Sequence, residues 1–259
     1  MLLRNKNAVI YGAGGAIGSM IARTFAREGA KVFLAGRTRE KLEVVAKGIN
    51  DAGGYAEASQ LDALHEEAVE SHLAAIISNH QHIDISFNVI DMGETQGLPL
   101  TEMKHPKFTL PIETAMRSHF LTSTAAVRYM SKNKSGVILG LTAQASWRPQ
   151  PNMGGFSVAC AAIEALFRQL AVEVGSDGIR VVCLQSAGSP DSPGVAEAMR
   201  LHAQLAGVTE EMFEAHSSQR TMLKRLPLMA EVADAAVLMA SNRAGIITGT
   251  VLDVTCGER

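Results

Sequence analysis

Short apolar runs rich in Val, Ile and Leu alternate along this chain with longer segments whose apolar positions recur at helical spacing. Runs that stay apolar at successive positions belong to strands buried on both faces, and helices interleaved between them predict a parallel sheet covered on each side. Strands are predicted at 8–11, 31–35, 55–59, 83–89, 136–141, 180–184 and 250–254. Helices are predicted at 17–28, 39–49, 64–78, 112–130, 156–174 and 229–240. About seven strands and the crossovers between them take up most of the sequence, so the fold class is α/β with a doubly wound sheet.

Two segments interrupt the alternation. Residues 91–110 carry Gly93, Gly97 and Pro99 and are predicted as a loop after the fourth strand. Residues 186–228 open with SAGSPDSPG and then show helical stretches at 195–206 and 210–218, an insertion placed where open α/β sheets carry a substrate lid. No internal repeat, low-complexity tract or linker divides the chain, so residues 1–259 are expected to form a single domain.

Composition narrows the partners. The chain is 47% hydrophobic and 19% charged, with a formal net charge of −2. Its Lys and Arg residues form no stripe or cluster, which excludes a nucleic-acid groove and a polybasic membrane anchor, and no uncharged apolar run nears the ~18 residues of a membrane helix. Small molecules are therefore the expected ligands. The opening residues lack the pattern of a secretory signal, and the three cysteines Cys160, Cys183 and Cys256 are too few and too widely spaced for a disulfide framework. A cytoplasmic protein is expected. The closest histidine pairs, His65 with His72 and His80 with His82, lack carboxylate or thiol partners at ligand spacing, so no metal is expected.

Candidate chemistry begins where the first strand ends, in YGAGGAIG at residues 11–18, which opens directly into a helix. Glycines in that context let the chain turn tightly and bring backbone N–H groups and a helix N-terminus against a pyrophosphate, as in a Rossmann-type dinucleotide fold. Gly12, Gly14, Gly15, Ile17 and Gly18 are the candidate residues. At the end of the second strand, AGRT places Gly36 where an acidic residue would bind a ribose 2′-hydroxyl, and Arg37 follows it. An arginine there accommodates a 2′-phosphate, so NADP(H) is favoured over NAD(H). Asp62, after the third strand, stands where a side chain meets adenine or caps the next helix.

Over nearly its whole length the chain resembles the short-chain dehydrogenase/reductase family. Tyr11 to Gly18 is similar to that family's T-G-x-x-x-G-x-G turn, with Tyr11 in place of Thr and Ala16 in place of the middle Gly. Asp62 matches its adenine-contacting aspartate, Asn88 the first residue of N-N-A-G, and Gly188 the glycine of a P-G pair; RP at 148–149, LAVE at 170–173 and ITGTVLDV at 247–254 fall in register. The resemblance implies a homotetramer and carbonyl reduction by a Tyr acid, a Lys that lowers its pKa, an orienting Ser and an Asn. The same register puts Phe156 at the Tyr, Cys160 at the Lys, Ala143 at the Ser and Ala115 at the Asn. None of these four can perform the family's acid–base step, and no other Tyr is followed four residues later by Lys. His119, one helical turn after Ala115, and Ser146 are the candidate substitutes; strand alternation turns Thr142 and Gln144 away from the pocket if Ala143 faces it. The expected function is an NADP(H)-binding oxidoreductase with a nonstandard active site. Its alternatives are a catalytically inactive nucleotide-binding sensor or assembly subunit, and a lyase or cyclase using the same pocket.

Overall fold

The computed structural model describes residues 1–258. Strands β1 (Asn7–Tyr11), β2 (Lys31–Gly36), β3 (Tyr55–Gln60), β4 (Ile85–Asn88), β5 (Gly136–Ala143), β6 (Ile179–Ser186) and β7 (Thr250–Val254) form one parallel sheet in the order β3-β2-β1-β4-β5-β6-β7. Helices α1 (Ala16–Arg27), α2 (Arg39–Asp51), α3 (Glu66–His80), α4 (His105–Asn133), α5 (Phe156–Val174), α6 (Pro193–Ala206), α7 (Glu210–Arg220) and α8 (Met229–Ala240) complete the single domain.

Both faces of the sheet are buried, which explains the unbroken apolar runs. In β1, Ala8 and Ile10 face a core shared with Ile21, Phe25 and Val237, whereas Val9 and Tyr11 face a second core with Leu73, Ile163 and Phe167. The same two-residue alternation sends Val32 and Leu34 of β2 to the first core and Phe33 and Ala35 to the second. Helices α1, α2 and α8 pack together on one side, and α3, α4 and α5 on the other. Fully burying such a side chain is worth ~1.5–3 kcal/mol, so the interior strands hold the layers together.

The boundaries depart from the sequence pattern where local bonding overrides it. Helix α4 begins at His105 rather than at 112, with Pro106 in its first turn, where a missing N–H costs nothing, and Pro111 buried inside it. The loop after β4 is correspondingly shorter than 91–110. Helix α3 begins at Glu66 rather than at 64, because Asp62 first closes a turn in which its carboxylate accepts the Leu64 N–H and its carbonyl the His65 N–H. No helix among the described residues is long and apolar enough to cross a membrane, and none of their His, Cys, Asp and Glu side chains are grouped to hold a metal ion.

From β1 the chain winds outward to β3, then returns to β4 beside β1 and winds outward again to β7. The β1 and β4 ends therefore diverge into loops leading opposite ways, the crevice in which open α/β sheets bind ligands.

Candidate functional site

A cleft of about 1000 Å³ opens there. Its floor is the glycine turn. Gly12 has φ +82°, and a Cβ on it would lie 2.6 Å from the Val89 carbonyl oxygen; a Cβ on Gly18 would lie 2.3 Å from the Gly12 carbonyl oxygen. Helix α1 is thus seated directly on the turn, and the turn directly on the end of β4. Gly15 is the N-cap of α1 and supplies no side-chain cap, which leaves first-turn N–H groups open toward the cleft that Gly12, Gly14, Gly15, Ala16 and Ile17 line. Uncapped amides at a positive helix end, with backbone where side chains would project, fit a diphosphate. Gly18 does not line the cleft, and its part is to let the helix approach.

The outer end of the cleft is lined by Gly36, Arg37, Thr38, Lys41 and Asp62. Arg37 and Lys41 are exposed and make no ion pair among the described residues. Gln60 Nε2 donates to the Arg37 carbonyl at 2.9 Å, fixing the chain as it leaves β2. Asp62 is not the cap of α3, a position held by His65, and it faces the cleft beside Leu61 and Ala63. Gly188, at φ +85°, lines the opposite wall. Asn88 lies outside the cleft: it is buried, its amide donates to Thr122 Oγ1 at 3.1 Å, and its Oδ1 accepts the Ile90 N–H at 3.0 Å. It ties the end of β4 to α4.

At the inner end the cleft adjoins a pocket of about 220 Å³, and Ala143, Phe156, Asp91 and Glu94 line both. Cys160 lines the inner pocket only; it is fully buried, and burial pushes its thiol up to about 12. A thiol with that pKa is neither a nucleophile nor a useful cation substitute. Ala115 lines neither space, and its carbonyl accepts the Nδ1–H of His119 at 3.0 Å. Burial lowers the His119 imidazole to about 4, so it is neutral near pH 7, and its buried Nε2 has no partner. With the proton on Nδ1, His119 offers the inner pocket an acceptor rather than an acid.

Ser146 is occupied elsewhere. Its hydroxyl accepts Gln185 Nε2 at 2.8 Å and lines neither space. The same amide donates to Glu164 Oε1 at 2.8 Å, which also accepts Thr142 Oγ1 at 3.1 Å, while Trp147 Nε1 donates to Gln185 Oε1 at 2.6 Å. This buried network fixes the end of β5. Alternation stops there because residues Gln144–Ser146 form a 3-10 turn, so Gln144 lines the cleft instead of turning away from it; Thr142, still within β5, touches the inner pocket beside Ala143.

A family model described as Enoyl-(Acyl carrier protein) reductase matches residues 12–258. The 7alpha-hydroxysteroid dehydrogenase of Escherichia coli is 30% identical over 255 residues, covering 98% of this chain and 94% of that protein. The chain belongs to the short-chain dehydrogenase/reductase family. It is also 28% identical over 257 residues to the 3-oxoacyl-(acyl-carrier-protein) reductase FabG of Chlamydia muridarum, covering 99% of this chain and 98% of that one. A solved 7alpha-hydroxysteroid dehydrogenase, complexed with NADH and 7-oxo glycochenodeoxycholic acid, superposes with a TM-score of 0.88 at 29% identity, over 99% of this chain and 95% of that one. An NAD+-bound xylitol dehydrogenase shares the fold with a TM-score of 0.92 at 21% identity, over 99% of this chain and all of the other. The chain is thus a short-chain-dehydrogenase-type oxidoreductase by fold and family.

Two features of this short-chain dehydrogenase leave no mark in the local sequence. Glu94 stands in the loop after β4, half-buried, with its carboxyl held above the ordinary glutamate range by burial and by the nearby charge of Asp91. The other is a latch on the insertion. Glu258, its side chain almost wholly buried, pairs with Arg220 of α7 at 2.8 Å and with Arg148 at 3.5 Å, while the Met222 and Leu223 N–H groups donate to the carbonyls of Gly257 and Cys256. Val195, Met199 and His202 of α6 and Phe213, Ser217 and Arg220 of α7 form a wall of the cleft. The insertion is tied down at its other end as well, where the Asp191 carboxylate accepts the Met229 N–H at 3.1 Å.

Proposed function

We propose that the chain is an NADP(H)-dependent reductase that works without the Tyr and Lys of its family's usual mechanism, with residues 186–228 serving as the substrate lid. The observation that carries this is the outer end of the cleft, where Gly36 leaves space and Arg37 and Lys41 stand with no acidic residue at the end of β2. A 2′-phosphate finds two cations there, whereas a ribose 2′-hydroxyl finds no carboxylate. Gly12, Gly14, Gly15 and Ile17 take the diphosphate, Asp62 faces the adenine, and Gly188 closes the far wall. When bound, NADP(H) supplies hydride chemistry at the inner end, beside Ala143 and Phe156.

A charge-assisted hydrogen bond to phosphate is worth ~1.5–3 kcal/mol, roughly a 10- to 100-fold preference. Fluorescence titration at one salt concentration is expected to show NADPH binding at least tenfold tighter than NADH. Arg37→Ala is expected to erase most of that difference while leaving NADH affinity unchanged. Equal or tighter NADH binding by the wild type would overturn the cofactor assignment.

The absence of an ionised or acidic group at Ala143, Phe156 and Cys160 favours a second reading, a nucleotide-binding sensor or assembly subunit without turnover. Oxidation of NADPH in the presence of activated alkenes, imines or ketones separates the two: turnover of any of them excludes the inert sensor. We also place the chain in a homotetramer, on the apolar side chains that α4 and α5 expose, Phe120 at 53%, Val158 at 45% and Val172 at 83%.

A further inference from the structure

We propose that Glu94 is the proton donor of this pocket, a catalytic residue standing in for the tyrosine that Phe156 replaces; the assignment rests on the reductase reading above. Glu94 lines both the cleft and the inner pocket, at the boundary where Ala143 and Phe156 also line both. A substrate between the nicotinamide end of the cleft and the inner pocket therefore passes against it.

The other polar groups lining the inner pocket are unsuited or already engaged. The Thr142 hydroxyl is bonded to Glu164, and His119 offers a lone pair. Cys160 holds its proton until about 12, and Ser186 Oγ accepts the Gly188 N–H. Serine hydroxyls such as those of Ser189 and Ser192 are far weaker acids than any carboxyl. Asp91 is exposed and accepts the Gly93 N–H at 2.9 Å. Glu94 is the remaining carboxyl.

Its surroundings favour the protonated form. No Lys or Arg lines the inner pocket; Arg37, Lys41 and Arg220 line the wider cleft, and none of them is among the groups that shift the Glu94 carboxyl. Burial opposes ionisation most, and Asp91 on the same loop adds to it, while the Glu94 N–H and the Gln96 side chain work in the other direction. From the elements packed around it come Cys160 of α5 and His119 of α4, both neutral near pH 7, and His202 of α6, whose ring is bonded to Gln96 at 2.8 Å and whose pKa burial lowers.

In the step, the π bond of a polarised C=O or C=N breaks. A C–H bond forms with hydride from the reduced nicotinamide, and an O–H or N–H bond forms with the proton of Glu94. The dinucleotide ends oxidised, and the Glu94 carboxylate regains its proton from water in the open cleft.

Two measurements test this. In apoprotein labelled with ¹³C at glutamate carboxyls, the signal missing from Glu94→Gln is expected to titrate above the ordinary glutamate range; an ordinary midpoint overturns the assignment. With NADPH and 2,3-butanedione or 2-methyl-1-pyrroline, Glu94→Gln is expected to lose roughly 10²- to 10⁴-fold in kcat, the usual worth of a general acid, while binding NADPH as wild type does. Glu94→Asp is expected to retain part of the rate. Wild-type kcat should fall as pH rises through the Glu94 midpoint, and the variant should lack that descending limb. Glu94→Gln turnover within threefold of wild type overturns the proton donor alone. NADPH binding with neither probe reduced overturns the reductase reading and the donor with it, and loss of NADPH affinity in both variants makes Glu94 a structural part of the cleft and overturns it too.

Discussion

Gly18→Ala puts helix propensity and packing in direct opposition. Alanine in place of glycine inside a helix gains ~1 kcal/mol from propensity, so α1 taken alone would be stabilised. In the fold, the added Cβ lies 2.3 Å from the Gly12 carbonyl oxygen, 2.9 Å from its carbon and 3.0 Å from Ala13 Cα, all backbone atoms that no rotamer change can move. The turn has nowhere to retreat, because Gly12 itself sits against Val89, with space for a Cβ only 2.6 Å from the Val89 carbonyl oxygen. Either α1 lifts by about 1 Å or the turn distorts, and overpacking of this kind costs ~1–3 kcal/mol or more. Packing is expected to win by about 1–2 kcal/mol, lowering Tm by roughly 2–8 °C for a chain of this size.

Lifting α1 also moves the uncapped N–H groups at its start, so NADPH affinity should fall about tenfold or more. Gly175→Ala is the matched control: φ −59° and ψ −38° suit alanine, and no heavy atom lies within 4 Å of the new Cβ. It should gain ~0.4–1 kcal/mol and bind NADPH unchanged. Urea unfolding of both variants, with fluorescence titration of NADPH, decides the matter. If Gly18→Ala proves as stable as Gly175→Ala and binds NADPH like wild type, the close seating of helix on turn is not what Gly18 is there for.

Three further outcomes are expected. Arg180 donates to the carbonyls of Met239 at 2.8 Å, Ser241 at 3.1 Å and Ile247 at 3.2 Å, closing the end of α8, so Arg180→Met should lower stability by about 2–3 kcal/mol in urea titrations; a loss under 0.5 kcal/mol would mean water replaces it. Burial lowers His72 and His119 to about 4 from 6.5, so the unfolded chain binds protons that the native state refuses between those values. Stability is therefore fully present above pH 6.5 and lost as pH falls toward 4, by up to an order of 3 kcal/mol per histidine, and urea midpoints that stay flat across that window would refute it. Phe120→Glu combined with Val172→Glu should reduce the assembled mass in light scattering; an unchanged tetramer would place the interface elsewhere.

The interior strands were legible because they are buried on two faces, so every position in β1 from Ala8 to Tyr11 had to be apolar, whereas the edge strands β3 and β7 keep exposed positions. Helix ends were less so: Asp62 delays α3 by closing a turn of its own, and α4 opens early at His105 with Pro106 in its first turn and runs on through Pro111, neither of which apolar spacing records. The glycine turn was legible for a steric reason. Gly18 answers to backbone atoms of Gly12 and Ala13 within the same strand–turn–helix unit, so the short motif carries its constraint, while Gly12 answers to Val89 and Ile90 at the end of β4.

Pocket chemistry has no such local signature. Ser146 looks available in sequence and is bonded to Gln185, a partner that arrives only with β6. His119 looks like an acid and is turned into an acceptor by its own helix and by burial against Phe167 of α5, with ring centroids 5.7 Å apart. Glu94 is an ordinary glutamate in a glycine-containing loop until α5 and α6 close around that loop, with no Lys or Arg lining the inner pocket beside it. Burial is the largest cause of the raised Glu94 carboxyl, and the elements that bury it are distant in the chain, so the shift becomes visible only when the sheet edge has been assembled.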